Sequence, residues 1–432
     1  MTSNPAIAFL TLGCPKNEVD SDRMRAAVLA SDYRLADDLD DADVVVLNTC
    51  GFITDAVEES VGAALDLAQW RDAREGRHLV VAGCMVSRYG DELAAAMPEA
   101  DAFVSVADES ALLGVLERVT GKSPGAAVPG VSRTGGNVSE YLQVSDGCFR
   151  SCAYCTIPLI RGPYRSRTFE KLTDEAALLL GTGTRELVLI GQDTSSWGRD
   201  LDDSRDIADL IHAIAPLEGL AWLRLMYVQP DTVTTRLIEA MAAVEPVRHY
   251  LDMPLQHASG RVLRDMQRSG SGETFLELIG SLRVAMPDIV LRSTFIAGYP
   301  GETEDDLDVL LDFIAEAGLD YAGVFPYSPE EGTAAARLPG QISDDERFER
   351  ANRVREAADT VSIARAASLV GRTLDVLSEG PDCEGFAVGR WSGQAPEVDG
   401  YVILDRSVEA GRIVPVRICD TYGYDLEGEV VG

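Results

Sequence analysis

The sequence predicts a mixed α/β chain of three units in series, and three patterns predict it. From the N-terminus to about residue 118, short apolar strands alternate with helical stretches, the pattern of an open parallel sheet. Between residues 139 and 368, five or six further β-α units follow, enough for a partial or full parallel barrel. From about residue 369 the pattern changes to five short alternating strands separated by turn residues, which predicts a small β-barrel. A chain of 432 residues is too long for one ordinary core, so several domains are expected.

The first unit, residues 1–118, repeats one design. An apolar strand starting at Ala6 ends in Gly13 and Cys14, and a helix is expected from about Asp20 to Ala30, capped by the polar cluster Asn17 to Ser21. A second strand from Asp43 ends in Cys50 and Gly51, followed by helical periodicity from Ile53 to Trp70. The third runs from His78 to Gly83 and Cys84, with a helix near Arg88 to Met97. Functional groups in open parallel sheets gather beyond the carboxyl ends of the strands. Cys14, Cys50 and Cys84 each stand at such an end, so the topology predicts that they converge. Three thiolates in that arrangement read as an iron–sulfur site with one iron left open. Residues 119–138, rich in Gly, Pro and Ser, read as a linker.

The second unit, residues 139–368, opens with a strand near Tyr141 that delivers Asp146-Gly147-Cys148-Phe149-Arg150-Ser151-Cys152-Ala153-Tyr154-Cys155. Cys148, Cys152 and Cys155 stand at C-x3-C-x2-C spacing. One short loop can thus supply thiolates to three corners of an iron–sulfur cube, leaving the fourth iron free to bind a small molecule. A closed zinc site wants a fourth Cys or His close by, and the loop has none. Strands are expected at Glu186–Ile190, Trp222–Met226, Tyr250–Met253, Ile289–Phe295 and Gly323–Pro326. Helices are expected at Thr173–Leu180, Ile207–Ile214, Thr232–Val244, Glu273–Val284 and Glu304–Ala317. A long helical segment from Asp344 to Leu369 closes the unit, and its many Arg and Glu residues read as a solvated face.

The third unit, residues 369–432, resembles oligonucleotide-binding barrels in its strand pattern. It carries five Arg, no Lys and twelve Asp or Glu, a poor match for RNA. Its Cys383 and Cys419 fall in no motif and read as small buried hydrophobes. Across the chain, 71 acidic against 38 basic residues give a formal net charge of −33, a surface that repels a phosphate backbone and draws in a basic partner. Nothing approaches a membrane-spanning apolar run, and the start shows no secretory pattern. Eight cysteines then fit thiolate ligands in a reducing cytoplasm better than disulfides.

The cysteine loop, the N-terminal trio and the terminal barrel together resemble the methylthiotransferases over essentially the whole length. These are radical S-adenosylmethionine (SAM) enzymes with an N-terminal three-cysteine domain, a central radical SAM barrel and a C-terminal TRAM barrel. Several stretches look like the branch that modifies an aspartate of ribosomal protein S12 rather than a tRNA adenosine. They include Gly13-Cys14-Pro15-Lys16-Asn17, Pro254-Leu255-Gln256-His257-Ala258-Ser259, Gly323-Val324-Phe325 and Gln394-Ala395-Pro396-Glu397-Val398-Asp399-Gly400.

The resemblance implies two [4Fe–4S] clusters and SAM as cofactors. One cluster, on Cys148, Cys152 and Cys155, cleaves SAM to a radical that abstracts hydrogen from the aspartate β-carbon. The other, on Cys14, Cys50 and Cys84, presents methylated sulfur, so each turnover uses two SAM. It further implies S12, free or within the small subunit, as the partner, together with an electron donor and a sulfur donor. Gly191, Gln192 and Asp193 resemble the segment that holds the SAM amino group, and Gly298 and Glu302 one that packs near the adenine. Ordinary β-α turn chemistry explains both stretches as well. Arg161, Arg165 and Arg167 suit either a carboxylate of SAM or substrate, or structural ion pairs. His257 reads as pocket-lining. A tRNA methylthiotransferase and a non-catalytic iron–sulfur protein are the competing readings.

Overall fold

The structure, a computed structural model, describes residues 4–125 and 132–432. Part of the expected linker lies outside the described residues.

The first unit is a five-stranded, all-parallel sheet in the order Arg34–Leu35, Ala6–Thr11, Val44–Thr49, His78–Gly83, Ala102–Ser105. Its central strand Val44–Thr49 is buried throughout, as a continuous β-branched run requires. Register aligns Thr11 with Asn48 and Thr49 with Gly83, which brings the three cysteine-bearing ends to one level. The first helix runs over Pro15–Leu29 and not from Asp20. Pro15 at its first position lacks only an N–H that would be unpaired anyway. Lys16, Asn17, Asp20 and Ser21 therefore lie inside the helix, and all four are buried. They are polar because they face other polar groups, not because they cap a terminus.

The second unit has six parallel strands in sequence order: Ser139–Gln143, Glu186–Ile190, Trp222–Leu225, Val247–Asp252, Val290–Ala297 and Tyr321–Pro326. The first and last do not pair, so the barrel is partial. Its outer face packs on the helices through one large core that includes Leu187, Leu223, Leu251 and Leu291. Its inner face carries Tyr141, Val188, Ile190, Met226 and Tyr250, with Val19 of the first helix and Ala395 of the third unit packed among them. The closing helix Asp344–Ala367 is less solvated than its composition suggests. Arg347 and Arg350 are buried, and Arg350 Nη1 donates to Glu302 at 3.1 Å. Buried Glu302 turns Arg350 inward, whereas Arg347 pairs with exposed Asp344 and lies over the Tyr327 ring.

The third unit is a closed five-stranded barrel of Thr373–Pro381, Ala387–Trp391, Val402–Leu404, Ile413–Tyr422 and Asp425–Val430. Cys383 and Cys419 are exposed, contrary to expectation. Cys383 sits in the hairpin connection after the first strand, and a register shift beside Cys419 interrupts the in–out alternation after buried Ile418. The barrel is anchored through charge. Arg390 reaches Glu186 at 2.5 Å, both fully buried, while Tyr250 Oη donates to Asp399 at 2.5 Å and Arg292 Nε to the same carboxylate at 3.2 Å. Ala395 and Asp399 of the segment Gln394 to Gly400 thus lie inside the central barrel, while Glu397 and Val398 stay exposed.

Candidate active site

The cysteine loop leaves the carboxyl end of Ser139–Gln143. Gly147 has φ +67°, and a Cβ there would stand 2.3 Å from Pro163 O, so the turn into Cys148 admits only glycine. Arg150 then braces the loop. Its backbone N–H donates to Cys148 Sγ at 3.4 Å, its Nε to Asp193 at 2.9 Å, and its two Nη atoms to Asp231 at 2.9 and 2.6 Å. Arg268 Nη1 lies 3.8 Å from Cys152 Sγ, and Phe149 stacks on Tyr164 at 4.3 Å.

The N-terminal trio gathers around Asn17. The Asn17 amide donates to Leu12 O at 2.8 Å and Thr49 O at 3.0 Å, clasping two strand ends. Its Oδ1 lies 3.8 Å from Cys14 Sγ and 3.5 Å from Cys84 Sγ. Gly13, at φ +105°, lies so near Cys50 that a Cβ would stand 2.9 Å from the Cys50 Cβ. The topology therefore brings Cys14, Cys50 and Cys84 together at the ends of three adjacent strands.

The trio faces the barrel opening. Lys16 Nζ stands 3.0 Å over the ring of Tyr227, just past the end of a central strand. Thr156 Oγ1, following Cys155, donates to Phe52 O at 2.8 Å, and Arg161 Nη2 lies 3.6 Å from Cys84 Sγ. The two cysteine groups thus flank one junction.

Burial pushes the Cys84 and Cys155 thiols up to about 12. Buried thiols of this kind ionise only against a cationic metal, which suits them as ligands whose binding releases protons. Among the described residues, no group of three or more His, Cys, Asp or Glu is drawn together as for a single metal ion. A cube takes each thiolate on a different iron and so needs a wider triangle. The donor sets, soft thiolates in threes, fit [4Fe–4S] clusters.

The remaining predicted residues divide. Asp193 is buried and braces Arg150, while the neighbouring Gln192 keeps a buried Oε1 without a partner. Gln229 and Gln256, which follow the next two strands, also hold unpartnered buried amide oxygens. Such acceptors suit the ammonium and hydroxyl donors of a bound SAM. Glu302 accepts from Gly298 N at 3.0 Å and from Arg350, and the ring of fully buried His257 faces it at 3.3 Å. Two backbone N–H groups donating to Nδ1 leave that ring's proton on Nε2. Gly298, Glu302 and His257 thus form one buried network with the closing helix. Arg167 pairs with Glu175 at 2.6 Å, and Arg165 lies on a short ribbon opposite Asp146. Arg161 turns toward the N-terminal unit.

Sequence reasoning missed Arg88, Arg268 and Glu330, whose long side chains reach the junction from positions without motif spacing. Asn17 and Asp20 were visible, but as cap residues and as part of stretches resembling the S12 branch, with no contact assigned to either.

Family profiles match in three consecutive segments: residues 6–105 to "Uncharacterized protein family UPF0004", 142–314 to "Radical SAM superfamily" and 370–431 to "TRAM domain". Among solved structures, the radical SAM methyltransferase TsrM from Kitasatospora setae, with cobalamin and a [4Fe-4S] cluster bound, shares the fold. The TM-score is 0.55 at 14% identity, over 76% of this chain and 77% of that one. Fold and cysteine loop define a radical SAM protein. Proteins named ribosomal protein uS12 methylthiotransferase RimO are much nearer. That of Symbiobacterium thermophilum is 43% identical over 98% of this chain and 90% of its own length. That of Moorella thermoacetica is 42% identical over 98% and 99%. The chain belongs to the RimO family of methylthiotransferases.

Proposed function

We propose that the chain transfers a methylthio group to the β-carbon of an aspartate in ribosomal protein uS12, in the cytoplasm, using two SAM per turnover. The observation that carries this reading is the junction at Arg161, which reaches Cys84 of one trio and Asp146 at the start of the loop that holds the other. The C–H bond attacked is not acidic beside a carboxylate, so no side-chain base of ordinary pKa can open it, and a cofactor must supply radical chemistry. When bound, the cluster on Cys148, Cys152 and Cys155 supplies the electron for SAM cleavage and that on Cys14, Cys50 and Cys84 the sulfur. The chain's own residues orient and enclose. Arg150 fixes the loop against Asp193 and Asp231, Gln192, Gln229 and Gln256 offer acceptors to SAM, and the first helix covers the opening. The units at 1–118, 139–368 and 369–432 divide this labour, joined by a linker at 119–138. An electron donor and a sulfur donor complete the partners.

A tRNA substrate is not favoured, since the relatives are named for uS12 and the third unit carries twelve acids against five Arg. Two measurements test the reading. Cys148→Ala should abolish 5′-deoxyadenosine formation, whereas Cys50→Ala should retain it and lose methylthio product. Equal loss in both variants would refute separate roles. Mass spectrometry of uS12 and of tRNA nucleosides from a strain lacking the gene should show only the uS12 mark missing.

A further inference from the structure

Arg161 follows the cysteine loop of the central unit by six residues, yet its guanidinium is spent on the N-terminal unit. Nη2 donates to Asp20 Oδ2 at 2.6 Å and lies 3.3 Å from Asn17 Oδ1 and 3.6 Å from Cys84 Sγ. Nη1 donates to Asp146 Oδ1 at 3.2 Å. The side chain is 1% exposed. Asp146 opens the loop of Cys148, Cys152 and Cys155, while Asn17 and Asp20 lie on the helix that begins after Cys14. One planar fork therefore ties the first turn of one sulfur site to the helix and a thiol of the other. Lysine, a point charge on a flexible stem, lacks the rigid fork whose separate ends meet Asp146 on one side and Asp20 and Cys84 on the other.

We infer that Arg161 is a positioning residue that sets the register of the two sulfur sites and raises the reduction potential of the N-terminal one. The inference rests on the two-cluster reading above. Reduction adds negative charge to a cluster and its thiolates, and a hydrogen bond with fixed positive charge at a ligand sulfur stabilises that reduced state. Asp20 and Asp146 hold the guanidinium in place, so the N–H directed at Cys84 needs no rearrangement.

The test uses the full chain carrying Cys148, Cys152 and Cys155→Ala, reconstituted so that only the N-terminal site holds a cluster, with iron and sulfide counted. Redox titration followed by electron paramagnetic resonance compares Arg161 with Arg161→Met and Arg161→Lys. The Met variant should shift the oxidised-to-reduced ratio at fixed potential about tenfold toward oxidised, or ~59 mV for one electron. The Lys variant should shift it less. Potentials unchanged in both variants would overturn the inference. If the Met variant fails to retain iron, the Lys variant decides, because a purely structural residue would leave its potential where it was. In the otherwise intact chain, Arg161→Lys should keep 5′-deoxyadenosine formation while methylthio product falls, and a parallel fall in both would count against register. A parent without any N-terminal cluster would overturn the two-cluster reading itself, and this inference with it.

Discussion

Glu109, in the turn after the last strand of the first sheet, keeps Oε1 buried without a hydrogen-bond partner. Burial first, and the like charge of Asp20 second, push its carboxyl up to about 9 despite Arg161 and Arg23. An unfolded Glu titrates near 4.5, so between those values the folded chain binds more protons than the unfolded one. Stability from this group is therefore fully present below the ordinary Glu range and falls as pH rises through about 9. One proton contributes at most about 1.4 kcal/mol per pH unit. Glu109→Gln should raise the denaturation midpoint in mildly alkaline buffer and flatten its pH dependence, and an unchanged slope would reject the assignment. Glu186 is equally deep but answered. Burial raises its pKa, yet Arg390 and then Arg224 outweigh burial and bring it to about 2. Its contribution is present above the ordinary Glu range and lost only as pH falls through about 2.

At the scale of elements, one carboxylate joins the first two units. Helix Thr54–Asp72 has no side-chain cap of its own, and Glu330 of the central unit accepts from Thr54 N at 2.7 Å. The same carboxylate meets Arg88 Nη2 at 2.8 Å, with both side chains almost fully buried. Glu330→Ala strips a helix N-terminus and strands a buried arginine, a loss of roughly 3–5 kcal/mol. Calorimetry should then resolve the first unit melting ahead of the rest, and one unshifted transition would contradict this. Such braces between units are not legible in the sequence, whereas local signals are. Helices Ile207–Ile214 and Glu304–Ala317 were readable to the residue because their capping boxes are local. The cysteine trios were readable because strand ends and loop spacing are periodic. Ala102–Ser105 and helix Leu112–Thr120 went unnoticed, being short beside stronger signals. The roles of Asn17, Asp20, Arg161 and Glu330 depend on partners from other units, and no local pattern carries that.

At the scale of the molecule, the net charge of −33 acts on every encounter. The buried arginines are answered by buried acids: Arg224 and Arg390 share Glu186, and Arg133 is shared by Asp22, Glu140 and Glu175. The surface therefore keeps the strong acidity of the composition, and approach of a basic protein is accelerated over distances set by the Debye length. That length falls from about 10 Å at 0.1 M salt to about 3 Å at 1 M. Under subsaturating uS12, kcat/KM for methylthio transfer should therefore fall steeply with added salt, whereas SAM cleavage without uS12 should change little. The split matters, because salt damage to the clusters would depress both reactions together. Turnover of uS12 that is indifferent to salt would remove charge steering from the account, since an acidic surface serving solubility alone predicts no such dependence.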